Sequence, residues 1–515
     1  MVGGIEWPVD PKTGKVSTTT SGKKVWISSL TALTDETADY HSSLDPSLVN
    51  EALTLSNKIE QMPNKSWRHG YIPLLVDHAS LMASSPPAAA IEMSKRGLDE
   101  LNSLMTIERD GQVSSAKDAV LLSGASGTTN DNMSFETVSV TGSGTSSLEK
   151  YELGAPRKTP SDVGRFLTGE EIKAQMNAWA NYGCIEPSCA VSMSSIADAD
   201  GISSLVNDKV FVLLGATSAL GPMSTLMKIK GATIAAISRP GTKIQALIER
   251  VKKESPDSVN ASFPSRKDAD GGVVIGADLI QDAPELADWV VKLFPNKQLV
   301  LCCMTYLDGE KNVRASVGSD LICEYVCEKR KDTALSYLVS PATAHLAPAS
   351  ALEDGKVKNA TNIPFWQRPL SFVLNGPETK NIHTLPNYFL FNGLADFQGP
   401  NYALAKTSQQ WRAMLAHSKG HTVSANHGPP SRTDSMVSHS TVSTFLEGMQ
   451  SFPPLVAFDV APASTLMAAL MLWDVNFSES TAQSYDKLEH PMCLFVENAA
   501  HGGSWRYVKI IYILF

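Results

Sequence analysis

Tyr402 and Lys406 stand four residues apart in Gly399-Pro-Asn-Tyr402-Ala-Leu-Ala-Lys406, a spacing that puts both on one face of a helix, within reach of a common ligand. A phenol ionises near pH 10 and is a poor acid or base at neutrality, with an unperturbed pKa of about 10. An adjacent ammonium stabilises the phenolate and moves it toward working pH, as general acid–base chemistry requires. A second pattern lies upstream, in Val210-Phe-Val-Leu-Leu-Gly215-Ala-Thr217-Ser218-Ala219-Leu220-Gly221-Pro222. It reads as a buried strand turning into a helix. Gly215 and Gly221 permit a tight turn and let backbone N–H groups approach a pyrophosphate. Pro222 suits a first helical turn, where its missing N–H removes nothing. The next apolar run ends Ala236-Ile-Ser238-Arg239, with no carboxylate where a ribose 2′-hydroxyl partner would stand. A guanidinium there takes a 2′-phosphate through its planar fork, which favours NADP(H) over NAD.

A similar glycine turn, Ala119-Val-Leu-Leu-Ser-Gly124-Ala-Ser-Gly127, has no apolar-periodic helix after it and reads as a loop. Cys323 and Cys327, four apart on an expected helix, read as small core residues rather than as a metal pair. Seven cysteines without paired spacing point to a reducing compartment, expected to be the cytoplasm. A net charge of −9 thinly spread over 515 residues argues against a nucleic-acid partner, which needs a basic face. No apolar run reaches the roughly 18 to 20 residues that span a bilayer; the longest, around Leu466–Trp473, is too short. The N-terminus lacks the basic and apolar regions of a secretory signal.

These residues need a scaffold, and the chain predicts one in its second part. From Asp208 onward, short β-branched apolar runs alternate with helical stretches. Strands are predicted at 210–214, 233–237, 272–275, 298–302, 335–339, 387–391, 422–425 and 492–496. Helices are predicted at 242–253, 284–293, 313–331 and 402–417. This alternation predicts an α/β fold with a doubly wound, mostly parallel sheet. Residues 205–515 are read as that domain, with an insertion at about 344–386 that includes the apolar piece 363–374. Residues 1–204 are read as a mostly helical N-terminal region. Helices are expected there at 47–62, 87–105 and 168–182, together with a flexible Ser/Thr/Gly-rich connection at 114–147 and a strand-like run at 135–140.

Taken together, the motifs resemble those of the short-chain dehydrogenase/reductase family over residues 205–506. Gly215-Ala-Thr-Ser-Ala-Leu-Gly221 resembles the family's glycine loop, with Ala219 in place of the middle glycine. Tyr402 and Lys406 match its catalytic pair. The resemblance implies that Gly276-Ala-Asp278-Leu279 contacts the adenine. It implies that Thr433, in Asn426-His-Gly-Pro-Pro-Ser-Arg-Thr433, holds the carboxamide side of the nicotinamide. Leu494-Phe-Val-Glu-Asn-Ala-Ala-His-Gly502-Gly503 resembles the last strand with its glycine pair. Two departures stand out. The family's Asn-Asn-Ala-Gly stretch is absent near Cys302-Cys-Met-Thr-Tyr306. The catalytic serine position is open between Ser340, which follows from strand order but lies 62 residues before Tyr402, and Asn392, which follows from local spacing.

The expected activity is that of an NADP(H)-dependent oxidoreductase acting on a small carbonyl or alcohol substrate. Tyr402 would pass the proton, Lys406 would keep it acidic and hold the ribose, and Ser340 or Asn392 would orient the carbonyl. The alternative is a catalytically silent NADP-binding scaffold in a larger assembly. A homo-oligomer or such an assembly is the expected quaternary context. The apolar tail 506–515 reads as a strand in a partner interface or as an incomplete end.

Overall fold

Apolar runs bounded by glycine and proline build the centre of the protein, whose computed structural model describes residues 3–9, 13–109, 111–121, 134–145, 147–157, 164–268, 270–362 and 379–507. The strands of the central sheet are β1 (Glu136–Thr141), β2 (Lys209–Leu214), β3 (Thr233–Ile237), β4 (Asn260–Lys267), β5 (Val273–Ile275), β6 (Gln298–Cys303), β7 (Ala334–Val339) and β8 (Val423–His427). Their spatial order is β8-β7-β6-β2-β3-β4-β1, with β5 pairing beside β4. The six strands from β8 to β4 are parallel, while β1 and β5 run antiparallel to β4. The fold is therefore α/β, with a mostly parallel sheet whose strand order is compatible with a Rossmann-like arrangement.

Side chains of β2 alternate between two cores, as a sheet covered on both faces requires. Val210, Val212 and Leu214 join one apolar cluster, together with residues of helices Ala283–Lys292, Glu310–Lys329 and Gly399–Ser418. Phe211 and Leu213 join the other, with residues of helices Thr242–Glu254 and Val460–Asn476. Val460–Asn476 is buried along nearly its whole length and so lacks the one-sided apolar stripe by which a surface helix is recognised. Helices Thr18–Thr34, Pro46–Gln61, Asn64–Ser84 and Pro87–Leu104 extend the first core. Among the described residues, no helix is long and apolar enough to cross a membrane.

Four sequence expectations are corrected. The third parallel strand is β4, not the 272–275 run, which supplies only the short antiparallel β5. Pro264 argues against a strand, yet the parallel ladder from β3 ends at Ser262, so no N–H is needed at Pro264 on that side. The predicted strand 387–391 forms as Tyr388–Asn392 but lies outside the central sheet, between Ala344–Pro348 and Thr379–Asn381 in an antiparallel three-stranded sheet. The predicted strand 492–496 is a 3-10 turn, Pro491–Phe495. There Pro491 has no donor, the His490 ring accepts the Met492 amide and the His490 carbonyl accepts the Cys493 amide, so the local donors are spent before any ladder forms.

The last correction concerns the crossover after the glycine loop, which holds one helical turn, Met223–Leu226, rather than a full helix. Bonds of Lys228 to Thr225, Ile229 to Leu226 and Ala232 to Ile229 carry it on in tight turns. Tyr151, Leu153 and Leu167 share a core with Met223, Leu226, Met227 and Ile229, filling the face that a longer helix would cover. The glycine turn 124–127, the apolar piece 363–374 and the tail residues 508–515 lie outside the described residues.

Candidate active site

The cleft opens where the sheet changes direction, between the C-terminal ends of β2 and β6, the place where open α/β sheets bind ligands. At the exit of β2, Gly215 has φ +103°, and a Cβ there would stand 2.8 Å from Thr305 Oγ1. Thr305, just past β6, donates its hydroxyl to the Leu214 carbonyl at 2.8 Å, tying the two strand ends together. The Gly215 and Ala216 amides both bond the Ile237 carbonyl, and the Gly221 amide bonds the Ser218 carbonyl. Among the described residues, the amides of Thr217, Ala219 and Leu220 find no acceptor within the chain. At the exit of β3, Ser238 and Thr217 hydroxyls meet at 3.1 Å, and Arg239 is exposed beside them. Helix Thr242–Glu254 follows, with Gly241 at its cap, no side-chain acceptor and no acidic residue in its first turn. Lys243 stands in that first turn. This leaves two cations and a bare helix start at one end of the cleft, a setting suited to a phosphate.

On the other side, helix Gly399–Ser418 carries Tyr402 and Lys406. The Tyr402 hydroxyl donates to Ser340 Oγ at 2.7 Å, across 62 residues of chain. The intervening excursion is zipped at its base. Ala344–Pro348 pairs with Tyr388–Asn392, and the Gly393 amide bonds the Thr343 carbonyl at 3.0 Å. A Cβ on Gly393 would come within 1.9 Å of the Pro341 carbonyl, so only glycine closes this neck. Chain leaving at Ser340 thus returns immediately before the tyrosine helix. Asn392, the other candidate, turns its Oδ1 to the Leu394 amide at 3.1 Å. The hydroxyl facing Tyr402 belongs to Ser340.

Burial pushes the Tyr402 phenol above its usual pKa, with Ser340 and the Gln398 side chain partly offsetting the shift. The Lys406 ammonium is pulled down to about 8, also by burial. Its Nζ donates to Gln409 Oε1 at 3.1 Å. The expected lowering of the phenol by Lys406 is therefore not present in this arrangement: the ammonium is held by its own helix. The side chains expected around a dinucleotide share one cavity of about 1250 Å³. Gly215, Thr217, Ser218, Ala219 and Leu220 line it from the first strand's exit, and Ser238, Arg239, Asp278 and Leu279 from the neighbouring ones. Ser340, Tyr402, Lys406 and Thr433 complete it, while Gly221 lies behind the loop and does not line it. Asp278 is turned partly to its own backbone, accepting the Ile280 amide at 2.8 Å. Thr433 stands just before the short helix Asp434–Val437, its hydroxyl 3.1 Å from that of Ser435.

Sequence reasoning missed Lys243, Gln398 and Tyr306. The Tyr306 ring packs edge-on against Tyr402 at 6.0 Å, in the stretch where the expected Asn-Asn-Ala-Gly is absent. Only the position of Lys243 just after the Arg239 turn carried a readable signal. No protein-family model matches the chain, and no curated protein shows significant sequence similarity to it.

Proposed function

We propose that the protein is an NADP(H)-dependent oxidoreductase of the short-chain dehydrogenase/reductase type, acting on a carbonyl or alcohol carbon. The observation that carries this reading is the Ser340–Tyr402 hydrogen bond of 2.7 Å, in the same cavity as the glycine loop. The residues present fit the dinucleotide. Three unpaired amides at Thr217, Ala219 and Leu220 suit a pyrophosphate, Arg239 and Lys243 suit a 2′-phosphate, and the cavity exceeds the roughly 300 to 1,000 Å³ of a single-ligand site. The nicotinamide, when bound, supplies or accepts the hydride.

The chain's own part is the proton and the geometry. Ser340 Oγ already accepts from Tyr402 and from the Ala342 amide, which leaves its own hydrogen to donate to a substrate oxygen. A carbonyl oxygen seated against both hydroxyls takes that hydrogen bond and receives the Tyr402 proton; oxidation of an alcohol runs the same transfer backwards. Lys406, four residues along the same helix face, holds positive charge beside the site. NADPH fluorescence titration tests the cofactor, and turnover of Tyr402→Phe tests the mechanism. The variant is expected to bind NADPH as the parent does and to lose at least about 100-fold in kcat. Full turnover by the variant, or no NADPH binding by the parent, overturns the proposal. The pairing of Lys406 with Gln409 instead favours the silent-scaffold reading, whose signature is NADPH binding without turnover on ketones, aldehydes and alcohols.

A further inference from the structure

Helix Ser440–Gly448 and the turn after it place Val442, Phe445, Leu446 and Met449 at intervals of three and four residues, on one face. These side chains belong to neither of the two large cores. Val442, Leu446, Met449 and Leu455 form a separate cluster, with Phe397 and Phe445 packed on it, and all six line the cavity that holds Ser340 and Tyr402. Leu446 is 1% exposed and Met449 and Leu455 are 3% exposed, so these three are the packed backing of the wall, and the half-buried Phe397 and Phe445 are the more accessible of the six. Its distance from the chemistry is short in the chain and in space. Phe397 precedes Gln398, which lines the same cavity as Tyr402, and the Phe397 ring lies 6.3 Å from that of Phe445. Among the described residues, the lysines and arginines lining the cavity are elsewhere: Arg239 and Lys243 at the β3 exit, and Lys406 on the helix of Tyr402. From residue 434 to residue 455, the titratable side chains that line it are Asp434 and His439, both before the apolar helix begins. Among the described residues, a carboxylate or phosphate on the substrate would meet hydrocarbon with no counter-charge on this wall, and burying an unpaired charge is strongly unfavourable.

We propose that this wall receives the carbon skeleton of a neutral carbonyl compound, an alkyl chain or aromatic group, with the carbonyl at Ser340 and Tyr402. The proposal rests on the oxidoreductase reading for the carbonyl, and on the cavity alone for the apolar partner.

The test uses the full chain and a neutral apolar fluorophore, Nile red, displaced by 2-alkanones from pentanone to undecanone, with and without NADPH. Apparent affinity is expected to tighten roughly two- to fourfold per added methylene until the wall is filled. An ω-carboxylate of equal length should bind at least tenfold more weakly, and kcat/KM should follow the same series. Leu446→Asn should flatten the series; because that position is fully buried, a thermal melt checks its fold, and half-buried Phe445→Gln serves as the second variant. A flat series in the parent protein, or tighter binding of the carboxylates, overturns the proposal even if NADPH binds and is oxidised. A graded displacement series in a protein that binds no NADPH upholds the apolar ligand class while the redox reading falls.

Discussion

The two sides of the cleft are held by opposite means. The β2–β3 side presents main chain to the cleft: a glycine turn, three amides without an acceptor among the described residues, and a crossover with a single helical turn behind it. The β6–β8 side presents side chains carried on long, heavily braced helices. Helix Gly399–Ser418 is pressed from behind by the N-terminal helices, with Trp26 and His78 rings 5.3 and 5.9 Å from Trp411. Arg412, on the same helix, is buried against Asp320 at 2.7 Å and Glu324 at 2.8 Å, and Asn102 donates to the same Asp320 at 2.7 Å. A phosphate can be gripped by several amides whose errors average out. A proton must pass between two defined atoms, and misplacement by about 1 Å can cost on the order of 100-fold in rate. On the proposed function, the bracing falls where the chemistry would be least tolerant.

Breaking each side at a glycine that borders the cleft tests this contrast. Gly393→Ala sets a methyl group against the Pro341 carbonyl, which lies 1.9 Å from the ideal Cβ, and so pries open the neck that carries Ser340 to Tyr402. The expected result is a stability loss of about 3 kcal/mol by urea unfolding, together with turnover reduced at least about 100-fold while NADPH still binds. Unchanged turnover would show that the neck does not position Ser340.

Asp474 sharpens the comparison from the β6–β8 side. It is 3% exposed and accepts from Ser424 Oγ at 2.7 Å, Asn426 Nδ2 at 2.6 Å and Ser480 Oγ at 2.7 Å, holding β8 to its covering helix. Burial raises its pKa from 3.8 to about 6. Because the folded value lies above the unfolded one, its stabilising contribution is complete below about pH 4 and is lost as pH rises through 6. Asp474→Asn should therefore be more stable than the parent at pH 8, by up to about 3 kcal/mol, and lose that advantage by pH 4. Melting curves across this range read the difference, and a parallel offset at all pH values would contradict it.

On the opposite side, Gly215→Ala combines φ +103° with a Cβ 2.8 Å from Thr305 Oγ1. The expected loss is about 1–3 kcal/mol of stability, with NADPH binding weakened more than turnover at saturation. Equal effects on both would remove the division of labour argued above. The smallest expected effect is on the pH profile. With its pKa near 8, Lys406 sheds its charge as pH rises past 8, so kcat/KM should fall on that limb. Lys406→Met should lack the limb, and a parent profile flat to pH 10 would place the charge outside the reaction.

Much of this was legible in the chain and some of it was not. The runs 210–214, 233–237 and 298–302 read as strands because parallel strands buried on both faces are apolar throughout. β4 was hidden by Pro264 and by polar residues that only its antiparallel partner β1 makes acceptable in a strand. Lys406 was correctly placed on the face of Tyr402, yet its bond to Gln409 depends on a rotamer that spacing does not specify.

Local features, then, belong to the sequence itself: strand and helix periodicity, the turn that demands a glycine at 215, and two candidate site side chains one helical turn apart. Each depends on neighbours within a few residues, whose geometry the backbone dictates. Tertiary structure alone decided that Ser340 rather than Asn392 faces Tyr402, that residues 136–141 close an edge of the sheet, and that 491–495 stays out of it. Those outcomes turn on which distant segments compete for the same hydrogen bonds and the same space, and no short window of sequence contains both competitors.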